Sequence, residues 1–266
     1  MTISRLMDLG GRRALVTGAV GGLGTVISET LAEMGSDLVL VDRKLDEIKL
    51  LKDRLINTYN VSVVGIVCNL EEEQQRKLLI QDLQSDGREL NILINNAAFV
   101  GTSDLTGWNV PFDKQSTETW RRAFEVNLLA PFDLCQGLHQ IMKRSKGANI
   151  INVASIYGQL GPDWRLYEET NMGNPAAYGA SKGGLIQLTR WLATTLAPDI
   201  RVNAISPGGV YVGQPEAFVD RYVSRTPLRR MAKYGDFSGC IAFLASGMSE
   251  YVTGQVLNID GGWGVW

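Results

Sequence analysis

The chain has 266 residues, of which 45% are hydrophobic, so it can bury a full core as one large α/β domain or two small ones. Its formal net charge of -2 argues against a protein that binds nucleic acid or an anionic membrane through basic residues. No apolar run is long enough for a membrane span or, in the N-terminal stretch MTISRLMDLGGRR, for a signal peptide. We therefore expect a cytoplasmic protein with no nucleic-acid or membrane partner.

The cysteines and the single histidine limit the chemistry further. Cys68, Cys135 and Cys240 lie far apart, in no metal-ligand or disulfide spacing, which is typical of small core residues in a reduced protein. His139 is the only histidine, and the basic turn MKRSK that follows it favours a structural or surface position. We expect no metal site, and a histidine-dependent catalytic triad is nearly excluded.

Short runs rich in β-branched residues alternate with longer amphipathic segments along the whole chain. This alternation is typical of βαβ units that build a parallel sheet. Strands are predicted at 14–17, 37–42, 61–68, 91–95, 148–154, 200–206 and 255–260. Helices are predicted at 22–34, 44–59, 71–84, 117–144, 176–197 and 235–246. No repeat or linker divides the chain, so residues 1–266 are predicted to form a single domain.

The stretch TGAVGGLG (17–24) follows the first predicted strand and opens the first helix. Its glycines let the backbone turn tightly and approach a pyrophosphate, whose charge then faces a helix N-terminus. A glycine-rich turn without a ligand is the alternative, but the strand, the helix and a later acidic residue are all in place. The residues expected to contact a dinucleotide are Gly18, Val20, Gly22, Leu23 and Gly24.

The acidic residue is Asp42, at the end of the second predicted strand. A carboxylate there accepts hydrogen bonds from ribose hydroxyls and repels a 2′-phosphate, which favours NAD over NADP. The adjacent Arg43 could pair with such a phosphate, so NADP stays an alternative. A strand-end cap is the structural alternative for Asp42.

Tyr178 and Lys182, in YGASK, lie four residues apart and therefore on one helix face. A tyrosine titrates near about 10, and an ammonium beside it lowers that pKa, so the pair can act as acid and base. Ser155, after the fifth predicted strand, has a hydroxyl that can hold a substrate oxygen. Asn127 interrupts an apolar helical stretch and needs a specific partner, although a satisfied core asparagine is the alternative.

These motifs occur together and in order over most of the chain. TGAVGGLG, NNAA (95–98), Asn127, Ser155, YGASK, SPGGV (206–210) and VTGQVLNIDGG (252–262) resemble the short-chain dehydrogenase/reductase family, in its short single-domain branch. The resemblance implies an α/β fold: a Rossmann-type doubly wound sheet of seven parallel strands with helices on both faces. It also implies a homo-oligomer, usually a tetramer.

The resemblance implies residue roles as well. Tyr178, Lys182, Ser155 and Asn127 would form a catalytic tetrad, with Tyr178 as the acid/base. Further cofactor contacts would come from Asn69, Leu70, Asn95, Ala97, Tyr178, Lys182, Pro207, Gly208 and Val210. Asn69 stands where the family usually has an aspartate, and its amide oxygen can still accept a hydrogen bond from adenine.

The implied reaction is the NAD-dependent interconversion of a secondary alcohol and a ketone by hydride transfer. Three alternatives remain open at this point. One is an NADP-dependent carbonyl reductase acting on a less polar substrate. The others are a non-catalytic dinucleotide-sensing regulator, and a lyase or isomerase, on the same scaffold. The intact tyrosine and lysine argue against the regulator.

The stretch GPDWRLYEETNMGNP (161–175) separates Ser155 from Tyr178 by more residues than is usual in the family. We call it the insertion. Its polar and aromatic residues favour a sugar, sugar phosphate or polyol substrate, and Trp164, Arg165 and Tyr167 are the candidate substrate contacts. Packing against a neighbouring subunit is the alternative. The insertion also resembles that of short-chain dehydrogenases of bacterial surface-sugar biosynthesis.

Two further features belong to the insertion and the region after the sixth strand. Asn174 and Pro175 are predicted as the N-cap and first residue of the helix that bears Tyr178. A basic cluster farther along the chain could hold a phosphate or carboxylate, or could be a solvated helix face. It consists of Arg221, Arg225, Arg229 and Arg230.

Overall fold

Seven parallel β-strands form one sheet in the order β3-β2-β1-β4-β5-β6-β7 in the computed structural model, which describes residues 2–101 and 103–266. The strands are β1 Arg13–Thr17, β2 Asp37–Asp42, β3 Val63–Val67, β4 Ile92–Asn95, β5 Ala148–Val153, β6 Ile200–Pro207 and β7 Val256–Ile259. The predicted Rossmann-type sheet is thereby confirmed. Strand order reverses between β1 and β4, and the carboxyl ends of these strands flank the crevice where such sheets bind ligands.

Nine α-helices are found in the described residues. They are α1 Ile3–Met7, α2 Gly22–Glu33, α3 Leu45–Tyr59, α4 Glu73–Ser85, α5 Thr117–Phe124, α6 Ala130–Lys143, α7 Ala176–Thr195, α8 Glu216–Arg225 and α9 Ser238–Ala245. None of the helices in this part of the chain is long and apolar enough to cross a bilayer.

Two hydrophobic cores lie on opposite faces of the sheet, because successive strand residues point to opposite sides. In β1, Ala14 and Val16 join the core that includes residues of α2, α3 and α9, whereas Leu15 joins the core that includes residues of α4 and α6. Strand β2 alternates in the same way. Because helices cover both faces of the sheet, the sequences of these strands are continuous apolar runs.

The helix predictions needed three corrections. Helices α1 and α8 were not predicted; α1 has only five residues, and α8 carries four charged residues in a short, weakly apolar stretch. The helix predicted at 117–144 is divided by a π-helical turn, Glu125–Leu129. Helix α7 begins at Ala176, within the predicted bounds, but its N-cap is Pro175 and not Asn174, whose side chain reaches the Tyr167 hydroxyl instead of capping.

A buried arginine ties the π-helical turn to the rest of the fold. Arg76, on α4, is 1% exposed, and its guanidinium contacts Glu125 at 2.6 Å, Asp133 at 2.8 Å and the Leu70 carbonyl at 2.6 Å. A buried charge is tolerated only when its donors are satisfied in this way. The arginine therefore joins α4, the π-helical turn and α6.

We predict that Arg76→Met lowers the free energy of unfolding by about 2–3 kcal/mol, because two partly buried carboxylates lose their partner. Arg122→Met is the control, since Arg122 pairs with Glu71 with 40% of its side chain exposed, and it should cost less than about 1 kcal/mol. Urea denaturation measures both. An equal loss of unfolding free energy in the two variants would show that the buried position of Arg76 does not make its ion pairs more stabilising than the exposed pair of Arg122.

Candidate active site

The glycine-rich turn lies at the carboxyl end of β1 and is tightly folded. Gly18 has a positive φ of 61°, and a Cβ on Gly24 would lie 2.0 Å from the Gly18 carbonyl oxygen. The N-cap of α2 is Gly21, which makes no side-chain cap, and the first turn of α2 contains no acidic residue. The first N–H groups of this 12-residue helix are thus left for an anion, which fits a cofactor pyrophosphate.

Asn96 holds this turn in place, and sequence reasoning passed over it. Its Nδ2 donates to the carbonyls of Thr17 at 2.9 Å and Gly18 at 3.0 Å. The Thr17 hydroxyl in turn accepts from the backbone N–H groups of Asn96 and Ala97. The signal was present, because Asn96 is the second asparagine of NNAA.

Tyr234 is a second residue of the cofactor side that the sequence did not indicate. A Cβ on Gly22 would lie 2.1 Å from the Tyr234 ring, so the ring packs directly on the start of α2. A side chain at Gly22 would therefore have to displace the Tyr234 ring. The turn Tyr234–Phe237 is itself held by a pair of bonds between Arg230 and Asp236, at 2.5 and 2.8 Å.

Asp42 ends β2 beside the glycine-rich turn. Its carboxylate accepts from the N–H groups of Val20 at 3.2 Å and Arg43 at 2.7 Å. The carboxylate is thereby fixed at the rim of the crevice, half-buried, with lone pairs left for ribose hydroxyls. The Arg43 residue is exposed.

The predicted adenine-side residues differ in what their side chains do. The Asn69 side-chain oxygen accepts from the Glu71 N–H at 3.3 Å, and Leu70 is buried. Asn95 is 2% exposed and donates to the Asn152 side chain at 2.8 Å across two strands, so a cofactor contact from Asn95 would have to use its main chain. Ala97 lies against Gly18, whose Cβ would meet the Ala97 Cα at 2.9 Å.

The loop after β6 forms the opposite wall of the crevice. Pro207 ends β6, Gly208 donates to the Ile259 carbonyl at 3.0 Å, and Val210 forms a β-bridge with Ala232. The Tyr222 hydroxyl on α8 accepts from the Gly209 N–H at 2.6 Å. This bond links α8 directly to the loop that was predicted to contact the nicotinamide.

Lys182 lies on α7 with its amine turned into the protein. It is 2% exposed, and Nζ donates to the Val153 carbonyl, at the end of β5, at 2.6 Å. Burial lowers the pKa of Lys182 from 10.5 to about 7, because the charged form loses its hydration. The amine lies 5.9 Å from the centre of the Tyr178 ring.

Tyr178 lies one turn before Lys182 and is half-buried. Burial raises the pKa of Tyr178, a hydrogen bond with Ser155 opposes that rise, and the nearby Tyr167 adds to it. Ser155 is 5% exposed, and its Oγ accepts from the Tyr157 N–H at 3.2 Å. The structure thus brings Ser155, Tyr178 and Lys182 together at the carboxyl end of β5, despite the insertion between the first two.

Asn127 is the fourth predicted catalytic residue, and its side chain is fully satisfied by protein groups. Its Oδ1 accepts from the Phe99 N–H at 2.7 Å, and its Nδ2 donates to the Phe99 carbonyl and the Ser181 hydroxyl, each at 3.0 Å. It is completely buried in the π-helical turn. Asn127 therefore connects the loop after β4 to α7, next to Lys182.

The insertion docks on α8 of its own chain. Asp163 pairs with Arg225, and the Arg225 guanidinium stacks 4.1 Å from the centre of the Trp263 ring. Arg221 donates to the Glu168 carbonyl. The predicted basic cluster is thereby explained in large part: Arg221 and Arg225 bind the insertion, and Arg230 binds Asp236.

The three predicted substrate residues are divided between two sides of the insertion. Trp164 is 58% exposed, and the Arg165 side chain is 79% exposed and bonds Asp163. Tyr167 instead points inward, is 9% exposed and shares a 2.8 Å hydrogen bond with the Tyr157 hydroxyl. The pair packs in an aromatic cluster with Phe218, Tyr222 and Trp263.

Taken together, the site offers an acid/base pair, a serine hydroxyl for a substrate oxygen and an anion-binding turn. Within residues 2–101 and 103–266, no three His, Cys, Asp or Glu residues are grouped to hold a metal ion. Burial also raises the pKa of the thiols, to about 11 for Cys68 and Cys240 and about 12 for Cys135, so they stay protonated.

The lowered pKa of Lys182 makes a prediction about stability in the nucleotide-free protein. Between about pH 7 and 10 the unfolded lysine holds its proton and the folded one loses it, so the contribution of Lys182 to stability should rise with pH. In urea unfolding between pH 7 and 8.5, the slope of stability against pH should be more positive in the natural protein than in Lys182→Met, because the thiols, which titrate near about 8.5 in the unfolded chain, contribute equally to both proteins.

Lys146→Met, at an exposed lysine, is the matched control and should keep the natural slope. The slope from one such group cannot exceed about 1.4 kcal/mol per pH unit. An unchanged slope in Lys182→Met would show that the lysine is charged in the folded protein throughout this range.

Comparison with known proteins agrees with this fold. The model of the family described as Enoyl-(Acyl carrier protein) reductase matches residues 18–264. A tropinone reductase homolog of Arabidopsis thaliana is 35% identical, with 100% of this chain and 97% of that protein covered.

Two solved structures are also similar. A gluconate 5-dehydrogenase of Burkholderia cenocepacia, in complex with NADP and tartrate, has a TM-score of 0.87 at 27% identity, with 100% of both chains covered. An NAD+-bound xylitol dehydrogenase has a TM-score of 0.84 at 28% identity, with 96% of this chain and 99% of that chain covered. The chain therefore belongs to the short-chain dehydrogenase/reductase family and is an NAD(P)-dependent oxidoreductase acting on alcohol and ketone groups.

Proposed function

We propose that the protein is an NAD-dependent oxidoreductase that interconverts a secondary alcohol and a ketone on a polar sugar, sugar phosphate or polyol. The observation that carries this proposal is the assembly of Ser155, Tyr178 and Lys182 at the carboxyl end of β5, beside the anion-binding turn at the start of α2.

Asp42 supports NAD as the cofactor. Its carboxylate is held at the rim of the crevice by two backbone N–H groups, where it would accept from ribose hydroxyls and repel a 2′-phosphate. The bound cofactor would supply or accept the hydride. The contacts we propose on the cofactor side are the residues named above for the turn, Asp42, Arg43, Asn69, Leu70, Asn95, Ala97, Pro207, Gly208 and Val210.

The residues of the chain divide the remaining work. Ser155 holds the substrate oxygen, and the Tyr178 hydroxyl exchanges a proton with it. Lys182 favours the ionised form of Tyr178 when its own proton is present. Asn127 is a positioning residue, because its amide joins the loop after β4 to the hydroxyl of Ser181 on α7.

The polarity of the inner face of the insertion supports a polar substrate. The Tyr157 and Tyr167 hydroxyls and the Asn174 amide form a hydrogen-bonded group there, close to Tyr178. The xylitol and gluconate dehydrogenases among the similar structures bear names of polyhydroxy compounds, which is consistent with this substrate class.

An NADP-dependent carbonyl reductase acting on a less polar substrate is the second candidate. The acyl-carrier-protein name of the matching family and the exposed Arg43 favour it.

We further propose a single domain over residues 1–266, a cytoplasmic location and a homo-oligomer, either a tetramer or a dimer. The three free thiols suit a reducing compartment. An apolar hollow of about 430 Å³ on the outer side of α6 and α7 supports association, since a partner would cover it. It is lined by Phe124, Leu128, Leu129, Phe132, Gly184 and Leu188, together with the charged residue Glu125.

The reaction is tested by absorbance at 340 nm, with NAD or NADP and a panel of sugars, sugar phosphates and polyols. Tyr178→Phe should lower kcat by about 10³-fold on any substrate found, because proton exchange is lost, and should leave NAD binding within about twofold. Tyr251→Phe, at a fully exposed tyrosine, is the control. Turnover retained by Tyr178→Phe would contradict the proposed acid/base.

Cofactor choice is tested at Asp42. Asp42→Ser should shift the ratio of kcat/KM for NAD over NADP toward NADP by about tenfold or more, since the charge that repels the 2′-phosphate is removed. Arg43→Ala should lower kcat/KM for NADP more than kcat/KM for NAD, since the guanidinium can pair with the 2′-phosphate. A natural protein that already prefers NADP, and loses that preference in Arg43→Ala, would instead support the second candidate.

A further inference from the structure

Two phenol hydroxyls face each other beside the catalytic tyrosine. The oxygens of Tyr157 and Tyr167 lie 2.8 Å apart, and Asn174 Nδ2 donates to the Tyr167 oxygen at 3.5 Å. Tyr167 is 9% exposed and Tyr157 is half-buried. We call these two residues the phenol pair.

Of the two hydroxyl protons of the phenol pair, only one is donated to an acceptor among the described residues of the protein. Each hydroxyl carries one proton, one proton lies in the shared bond, and the asparagine brings a donor of its own. In the part of the chain that the structure describes, no further acceptor bonds either hydroxyl. Burial raises the pKa of Tyr157 and of Tyr167, so both keep their protons at neutral pH. One O–H therefore stays free to donate to a ligand.

The position of the pair is set by the same elements that position the catalytic residues. Tyr157 lies in the turn after β5 and donates its N–H to the Ser155 hydroxyl at 3.2 Å. Asn174 lies just before α7, four residues from Tyr178. A group bound to the pair would thus lie close to a substrate carbon held between Ser155 and Tyr178.

The charged side chains around the pair are engaged by hydrogen bonds within the protein. Asp163 accepts from Arg225 and, through two bonds of 2.8 and 2.7 Å, from Arg165. The Arg221 guanidinium is engaged by the Glu168 carbonyl. These bonds leave the inner face of the insertion with neutral donors and acceptors, which suit a hydroxyl better than a phosphate or carboxylate.

We propose that the phenol pair is a subsite for a second, uncharged hydroxyl of the substrate, next to the reacting carbon. The substrate is then a vicinal diol when the enzyme oxidises the alcohol, and an α-hydroxyketone when it reduces the ketone. Carboxylate- or phosphate-bearing carbons would lie away from this subsite. The inference rests on the proposed alcohol–ketone activity and narrows its substrate.

The test compares ketones that differ in one group. Reduction by NADH of 2-hydroxycyclohexanone, cyclohexanone and 3-oxocyclohexanecarboxylate is followed at 340 nm, with the natural protein, Tyr157→Phe and Tyr167→Phe. Tyr251→Phe is the control, since that side chain is fully exposed. The natural protein should show a kcat/KM at least about tenfold higher for the hydroxyketone than for cyclohexanone, equal to about 1.4 kcal/mol.

Each phenylalanine variant should lose most of that preference. The loss should come from a lower kcat/KM on the hydroxyketone, with kcat/KM on cyclohexanone kept within about twofold. An equal fall on both ketones would show that the pair only supports the fold, and would overturn the subsite. The subsite would also be overturned if the natural protein had its highest kcat/KM on the carboxylate, or reduced all three ketones with equal kcat/KM. Either result would leave the alcohol–ketone activity in place.

Absence of turnover with all three ketones, with NADH and NADPH, would count against the proposed function and not against the subsite. The subsite is then judged by binding to the protein–NADH complex, followed by nucleotide fluorescence. Binding of the hydroxyketone about tenfold tighter than cyclohexanone, and lost in Tyr167→Phe, would support the subsite. Equal binding of the two ketones would overturn it.

Discussion

The burial of the Lys182 amine is the constraint on which the catalytic geometry depends. An amine that is 2% exposed needs an acceptor, and the Val153 carbonyl at the end of β5 provides one at 2.6 Å. Helix α7 must therefore lie close against the end of β5. Gly158 permits this approach, since a Cβ there would lie 2.8 Å from the Lys182 carbonyl group. The turn that carries Ser155 is thereby pressed against the helix that carries Tyr178.

A second tertiary constraint, on Asn127, explains the π-helical turn. Asn127 must reach both the backbone of Phe99 and the hydroxyl of Ser181, the neighbour of Lys182 on α7. These partners come from two distant segments, so the local widening of the helix at Glu125–Leu129 is set by tertiary contacts. An apolar period from 117 to 144 predicts a continuous helix and carries no information about such a turn.

Features that depend on neighbouring residues in the sequence could be predicted, whereas contacts between residues far apart in the sequence could not. The seven strands were found within a few residues, because burial on both faces leaves continuous β-branched runs. The glycine-rich turn was found because its conformation requires glycine at Gly18 and Gly24. The partners of Arg221 and Arg225 could not be found, since Asp163 and Glu168 lie far away in sequence and approach only when α8 folds over the insertion. Tyr234, which packs on Gly22, was missed for the same reason.

The insertion lengthens the chain between Ser155 and Tyr178 without changing how these two residues are positioned. Ser155 and Tyr178 are positioned by β5 and α7, so the length of chain between them adds only loop entropy, about 0.6 kcal/mol for each doubling. That cost is offset by the outer face of the insertion, where Asp163 binds Arg225 over the ring of Trp263. The inner face then carries Tyr167 without disturbing Lys182, and it is this face that we propose meets the substrate. Residues of this segment can thus be exchanged while Ser155, Tyr178 and Lys182 keep their geometry, so in the proposed function the polarity of the insertion bears on specificity and not on the reaction.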